Sequence, residues 1–203
     1  MKDKKSLIRE YIEAILIALL LALFIRAYII QAFKIPSGSM IPTLLIGDHI
    51  LVNKFIYGTK IPFSDKLFLV FNRPEKGDII VFKYPEDPKK DFIKRVIATE
   101  GDSIDSKDKV IYVSGKKVIE PYVYHSDRNI RPEGNDVRDN FGPLIVPPGK
   151  IFVMGDNRDQ SYDSRYWGFV DIKEVKGEAL IIYWSWDSQK HWLRFNRIGR
   201  LVK

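Results

Sequence analysis

Two serines stand in a segment built to be stiff, Pro36-Ser37-Gly38-Ser39-Met40-Ile41-Pro42-Thr43-Leu44. Small hydroxyl residues held between two prolines and a glycine make a rigid, exposed loop, and such loops can present a nucleophile. A serine hydroxyl is a weak nucleophile until a neighbouring base takes its proton. Histidine is one such base, and the chain has His49, His125 and His191. All three are poorly placed: His49 follows Gly47-Asp48 at a strand start, His125 lies in a charged excursion, and His191 sits in an aromatic tail. The G-x-S-x-G nucleophile elbow is absent as well.

Lysine can serve instead only if its pKa falls from about 10.4 towards 7–8, which requires desolvation in an apolar site and is worth roughly 3–5 kcal/mol. Most lysines here sit in charged turns, but Lys94 does not. In Asp91-Phe92-Ile93-Lys94-Arg95-Val96-Ile97-Ala98, strand alternation puts Phe92, Lys94, Val96 and Ala98 on one face. The pattern leaves a second reading open, an aliphatic stem crossing apolar surface with its head in water. Ser114-Gly115-Lys116-Lys117 matches S-x-x-K, but Ser-Gly at a hairpin turn is ordinary turn chemistry, and this match is read as structural. A third constellation is Gly155-Asp156-Asn157-Arg158-Asp159-Gln160-Ser161-Tyr162-Asp163-Ser164-Arg165-Tyr166-Trp167-Gly168. It is either an Asx-rich loop capping its own backbone or an ordered polar network, with Ser161, Asp163 and Arg165 sharing a side if extended. The chain has no cysteine, which excludes thiol catalysis, cysteine zinc sites and disulfides. No histidines fall at HExxH spacing, so neither a metal nor a cofactor is expected.

These groups must be positioned by what surrounds them, an apolar N-terminal run and a β-rich remainder. Residues 11–30 are apolar except for Glu13, Arg26 and small or aromatic residues between, and 14–25 carry no charge. About 20 such residues span a hydrocarbon core as a helix, so 11–30 is expected to be a transmembrane helix. Lys2, Lys4, Lys5 and Arg9 flank the run, and the positive-inside rule then places 1–10 in the cytoplasm and 31–203 outside. A cleaved secretory leader begins in the same way, yet 26–33 lacks a good small-x-small cleavage site. A buried soluble helix would rarely read 15–25 without a polar residue. One uncleaved span is the expectation. Ser39 is then tethered within roughly 30 Å of the bilayer edge, at about 3.3 Å per extended residue. The net charge of +7 suits a lipid bilayer surface better than nucleic acid in an anchored chain.

Strands are expected at 50–54, 78–84, 92–99, 110–113, 117–119, 151–154 and 179–184, each rich in β-branched or aromatic residues and punctuated by Pro, Gly and Asp. Between 102 and 148 the composition shifts to charged and turn-forming residues, which predicts an inserted hairpin subdomain turning at Ser114-Gly115. The expected architecture is mostly β. A single N-terminal transmembrane helix leads to a β-rich catalytic domain over 31–203, with a small inserted β subdomain. A chain of 203 residues buries enough core to do without staples.

The succession of the apolar run, the 36–44 segment, Gly77-Asp78-Ile79-Ile80-Val81-Phe82, Phe92-Ile93-Lys94-Arg95-Val96 and Gly155-Asp156-Asn157-Arg158-Asp159 with Ser161 and Asp163-Ser164-Arg165 resembles the bacterial type I signal peptidase (leader peptidase) family. The likeness covers nearly the whole chain. It implies a Ser/Lys dyad endopeptidase in the bacterial cytoplasmic membrane, with its catalytic domain on the outer face. Its implied partners are exported preproteins, cut after Ala-x-Ala-like sites. The resemblance implies Ser39 as nucleophile and Lys94 as the neutral general base. It implies that the Ser37 hydroxyl and the Ser39 N–H form the oxyanion hole, that Ser161 orients the lysine, and that Asp163 and Arg165 are a supporting ion pair. Phe33, Ile35, Leu44 and Ile93 are implied as shallow apolar walls accepting small residues. Ala98-Thr99-Glu100 and Gln160 depart from the family's usual Gly-Leu-Pro and Asn. A self-cleaving Ser/Lys repressor protease is argued against by the anchor and by the missing DNA-binding segment. A non-enzymatic adaptor is the other reading. The aromatic tail, Tyr183-Trp184-Ser185-Trp186 and Trp192-Leu193-Arg194-Phe195, reads as core or as an interfacial patch.

Overall fold

With neither proline nor glycine before Tyr28, and with leucine, isoleucine and alanine dominating, the N-terminal segment coils into α1 (Lys4–Tyr28). The computed structural model describes residues 4–60, 67–68, 72–134 and 136–203, so Lys2 of the expected basic flank lies outside the described residues. The helix stops earlier than the expected 11–30 boundary. Ile30 already opens strand β1 (Ile30–Lys34) and pairs with Asn53. Among the described residues no helix is long and apolar enough to cross a membrane. The charge-free stretch, 14–25, rises about 18 Å at 1.5 Å per residue, short of a hydrocarbon core of about 30 Å.

The rest is mostly β. After β1 come β2 (Asp48–Asn53), β3 (Thr59–Lys60), β4 (Leu67–Phe68), β5 (Ile79–Tyr84), β6 (Asp87–Thr99) and β7 (Ser103–Lys107). These are followed by β8 (Val110–Val113), β9 (Lys116–Lys117), β10 (Phe141–Ile145), β11 (Lys150–Met154), the short helix α2 (Ser164–Trp167), β12 (Val170–Asp171), β13 (Val175–Asp187) and β14 (Trp192–Leu193). The main sheet runs β1-β2-β13-β5-β6-β11-β12, with β14 beside the end of β13. The segment expected as an inserted hairpin is a four-stranded sheet, β10-β7-β8-β9, and β3 pairs with β4 separately.

Both faces of the main sheet are covered. In β5, Ile79 and Val81 enter one core with Ile35, Met40, Leu44, Ile50, Val52 and Ile182. Their neighbours Ile80 and Phe82 enter a second core with Val96, Ile151 and Val153. A third core, built on Ile104, Ile111, Phe152 and Met154, lies against the small sheet. Burial on both faces explains why β5 reads as an apolar run without alternation.

One expected face is corrected by register. In the pairing of β11 with β6, Phe152 faces Ala98 but Val153 faces Val96, so Ile97 is an extra residue. Such a bulge shifts every side chain beyond it to the other face. Ala98 therefore joins Ile97 in the third core, while Val96 stays with Phe92 around the second. The S-x-x-K match sits where turn chemistry places it. Ser114 and Gly115 both have positive φ between β8 and β9, and Ser114 Oγ donates to Asp102 at 3.1 Å.

Candidate active site

The stiff serine segment is fastened at both ends. Ile35 N–H donates to Asp48 O (2.8 Å), Gly47 N–H donates back to Ile35 O (3.0 Å), and Leu44 N–H closes on Met40 O (2.8 Å). Met40 and Leu44 are completely buried, so the apolar residues of the segment pin it down while Ser37 stays exposed at the surface. Ser39 lies between these regimes, only 8% exposed. Lys94 reaches it from β6, where the neighbouring β5 fixes its height through the Ile80–Lys94 pairing. The Lys94 Nζ donates to Ser39 Oγ at 2.7 Å.

The lysine is 4% exposed, with its Nζ 5.5 Å from the centre of the Phe92 ring. Desolvation by burial is the largest influence on it and lowers its pKa from 10.5 to about 8. Arg165 adds to the lowering, whereas Asp163 and Asp156 oppose it from a distance. No carboxylate forms an ion pair with this amine among the described residues, so burial prevails.

The third constellation folds over the pair as an ordered network. Gly155 shows how closely it approaches: a Cβ there would stand 2.3 Å from Ser161 Oγ and 2.4 Å from Ser39 O. Asn157 N–H donates to Ser39 O (3.1 Å), and Asn157 Nδ2 donates to Gly38 O (3.1 Å). Thr43 Oγ1 donates to Asp156 at 2.5 Å. The Arg95 guanidinium grips the same Asp156 carboxylate with two bonds, 2.8 and 2.7 Å. Asp163 caps α2 and pairs with Arg165 through bonds of 2.8 and 2.9 Å. Burial pushes the Asp163 carboxyl up, but the Arg165 charge and bonds outweigh it and hold the pKa below the usual range. Arg165 also donates to Arg138 O and Arg158 O, each at 2.7 Å, which ties α2 to the excursion before β10. The Ser161 hydroxyl is buried beside this ion pair and helps lower Asp163, yet among the described residues it has no partner at full hydrogen-bond geometry. It is not bonded to Lys94 in this arrangement.

A cleft of about 400 Å³ opens over the pair, with 36–39 on one side, 91–94 on the other, and Gln160 and Tyr162 also lining it. Of the four expected apolar walls, only Ile93 lines this cleft. Ile35 and Leu44 are shut inside the first core, and Phe33 packs partly buried against it. These side chains hold the serine segment to the sheet. Among the described residues, the stretch 91–94 also has one unused edge. It pairs with β5 on one side, and β11 joins the other side only from Arg95 onward.

The histidines take no part. His49 stacks edge-on to Tyr183 (5.9 Å), His125 lies 3.6 Å from Asp159, and His191 occupies a positive-φ turn. Sequence reasoning singled out the 155–168 loop but missed what Arg95, Asp156 and Asn157 do. The one available signal was an arginine beside the candidate lysine with a distant acid-rich loop to receive it.

A family model described as signal peptidase, peptidase S26, matches residues 8–184. Among curated relatives, signal peptidase I of Pseudomonas fluorescens is 37% identical, over 99% of this chain and 81% of that protein. Signal peptidase I of Bacillus licheniformis is 34% identical, over 91% of this chain and 93% of that one. A solved signal peptidase I from Enterococcus faecalis V583 is 33% identical, covering 53% of this chain and 97% of that one with a TM-score of 0.43.

Proposed function

Because the chain belongs to the signal peptidase family, peptidase S26, we propose that it removes signal peptides from exported preproteins with a Ser39–Lys94 pair. The observation that carries this reading is the buried 2.7 Å contact between the Ser39 hydroxyl and the Lys94 amine. A neutral Lys94 accepts the Ser39 proton as Oγ attacks the scissile carbonyl. The oxyanion forms toward the Ser39 N–H and the Ser37 hydroxyl, each donor worth about 3–4 kcal/mol in the chemical step. The Lys94 ammonium then protonates the departing amine, and the same lysine activates the water that hydrolyses the acyl-enzyme. Asp163 and Arg165 hold the polar loop beside the amine. We assign Ser161, whose buried hydroxyl has no partner among the described residues, the role of orienting the lysine once substrate fills the cleft.

The unused edge of 91–94 suits an extended peptide that adds as a strand, its main chain bonded and its alternate side chains pointing into the cleft. Ile35 and Leu44 are buried in the core that holds the serine segment, and we infer from this a shallow site for the side chains of a bound peptide. Small-x-small selectivity then arises by exclusion of larger residues. Full-length protein in detergent should cut a preprotein once, immediately after an Ala-x-Ala site, as read by N-terminal sequencing of the product. Replacing the alanine next to the cut by phenylalanine should lower kcat/KM by about 100-fold or more. Tight binding of signal peptides with no cut would favour an adaptor, and cutting without regard to side-chain size would remove the proposed selectivity.

We place this activity at the outer face of a bacterial cytoplasmic membrane, with α1 as anchor and the N-terminus in the cytoplasm. The support is the bare apolar surface of α1, where Ile15, Ile17 and Leu20 are each about two-thirds exposed on different sides of the helix. Trp184, Trp186, Trp192 and Phe195 add exposed aromatics of the kind that settle at lipid interfaces. Since the charge-free stretch is shorter than a typical core, Glu13 and Arg26 must reach outward to the headgroups, with local thinning of the bilayer. Alkali-washed vesicles should retain the full chain and release one lacking residues 4–25. Release of the intact chain would refute the anchor and leave the chemistry untouched.

A further inference from the structure

The geometry points to Asn157 as the positioning residue for the oxyanion hole, an inference that rests on the Ser39 reading above. The C=O of Gly38 and the N–H of Ser39 belong to one peptide unit, which is planar and trans, so they point in opposite directions. Fixing the carbonyl fixes where the N–H points. Asn157 Nδ2 bonds that carbonyl at 3.1 Å, and the Asn157 main-chain N–H bonds the next carbonyl, Ser39 O, at 3.1 Å. One residue thus holds two successive carbonyls of the serine segment from behind. The Ser39 N–H between them has no acceptor on the described chain and is left for the oxyanion. A bond accepted by the carbonyl also polarises the amide and strengthens the N–H at its other end.

Two further facts support this role. Asn157 is 2% exposed, and its Oδ1 is buried without a partner among the described residues. A buried acceptor left unmade is costly, so the side chain earns its place through its donor. Its backbone is also held from the far side. Tyr124 lies alongside in a parallel bridge, with Tyr124 N–H donating to Asp156 O (2.8 Å) and Arg158 N–H donating to Tyr124 O (3.0 Å). The excursion before β10 therefore backs the residue that aims the catalytic amide. The Ile41 N–H reaches Gly38 O as well, at 3.2 Å, so removing Asn157 loosens the peptide without freeing it.

Loss of one oxyanion donor lowers kcat by about 10²–10³-fold, so loosening its support should lower kcat by about 10–100-fold. In Asn157→Ala we expect that loss with KM within about twofold and with the pH midpoint of activity unchanged. Asn157→Asp, which sets a carboxylate oxygen against the Gly38 carbonyl, should lose more. A peptide boronate ending in alanine bonds Ser39 Oγ at boron while the proton passes to Lys94, which places a negative tetrahedral group in the hole. Its affinity for Asn157→Ala should fall by the factor seen in kcat, while the affinity of the product peptide is preserved. The inference is overturned if Asn157→Ala keeps kcat within about twofold. It is also overturned if kcat, KM, melting temperature and pH midpoint all move together, the signature of a structural strut. Ser39→Ala, assayed alongside, separates the two levels. A dead Ser39→Ala with a fully active Asn157→Ala sinks only this inference, whereas an active Ser39→Ala sinks the reading of the site itself.

Discussion

Lys94→Met should abolish cleavage, by at least about 10³-fold, and should make the chain harder to unfold below about pH 8. Both effects come from one circumstance, a lysine buried to 4% exposure with no carboxylate bonded to it. As a base it must be neutral, and desolvation by burial brings its pKa down from 10.5 to about 8. Wild-type kcat should therefore rise with pH to a plateau above about 8. A maximum on the acid side of pH 6 would contradict a neutral-lysine base. The same fall is a stability statement. Between about 8 and 10.5 the unfolded chain holds this proton and the folded chain does not, so folded stability rises with pH across that window. Below it the folded state carries the full penalty, about 3 kcal/mol at 1.36 kcal/mol per pH unit. Methionine fills the same apolar space without that penalty. Denaturant unfolding at pH 7 should show the variant more stable by up to that amount, with the difference shrinking at pH 10. Ser39→Ala should be equally inactive, yet without the pH-dependent gain. A Lys94→Met protein that still cleaves would remove the base from the scheme.

The lysine and serine were legible because each is written in local pattern. Proline and glycine around Ser37 and Ser39 announce a stiff loop, and period-two alternation puts Lys94 on an apolar face beside Phe92. The alternation failed at Ala98, where Ile97 bulges out of register, and nothing in the composition of 92–99 marks a bulge. Ile29-Ile30 continue the hydropathy of the apolar run, although pairing with Asn53 draws Ile30 into β1. β10 was hidden by Gly142-Pro143 in its middle, which reads as a turn. Of the expected walls, Ile35 and Leu44 went to the interior, since an apolar residue near a serine can floor a pocket or bury itself and only packing decides which. The network that holds the pair together was the least legible. Arg95 meets Asp156 across 61 residues and Asn157 meets Gly38 across 119, contacts that no periodicity encodes.

Arg95→Met should lower stability by about 3–5 kcal/mol, because it strands a fully buried carboxylate. Asp156 is 0% exposed and Arg95 2%, and the two share a bidentate pair. Thr43 donates to Asp156 as well, but a single hydroxyl cannot offset a charge. Arg95 has further ties of its own, a bond to Gly77 O at 2.8 Å and the Tyr122 ring 3.8 Å from its guanidinium carbon. Arg95→Lys should recover only part of the loss, since an ammonium cannot match both carboxylate oxygens or stack on the ring. The double replacement Arg95→Met with Asp156→Leu should be more stable than Arg95→Met alone, because it removes the stranded charge along with its partner. Activity should not return with that stability. Arg95 follows Lys94 on β6 and Asp156 precedes Asn157, so the pair sets the spacing between the strand that carries the amine and the loop that holds the Ser39 peptide. Denaturant melts of the wild type, Arg95→Met, Asp156→Leu and the double replacement would give the coupling energy directly. A coupling below about 0.5 kcal/mol, within the scatter of independent sites, would show that the pair is not what holds these two elements in register.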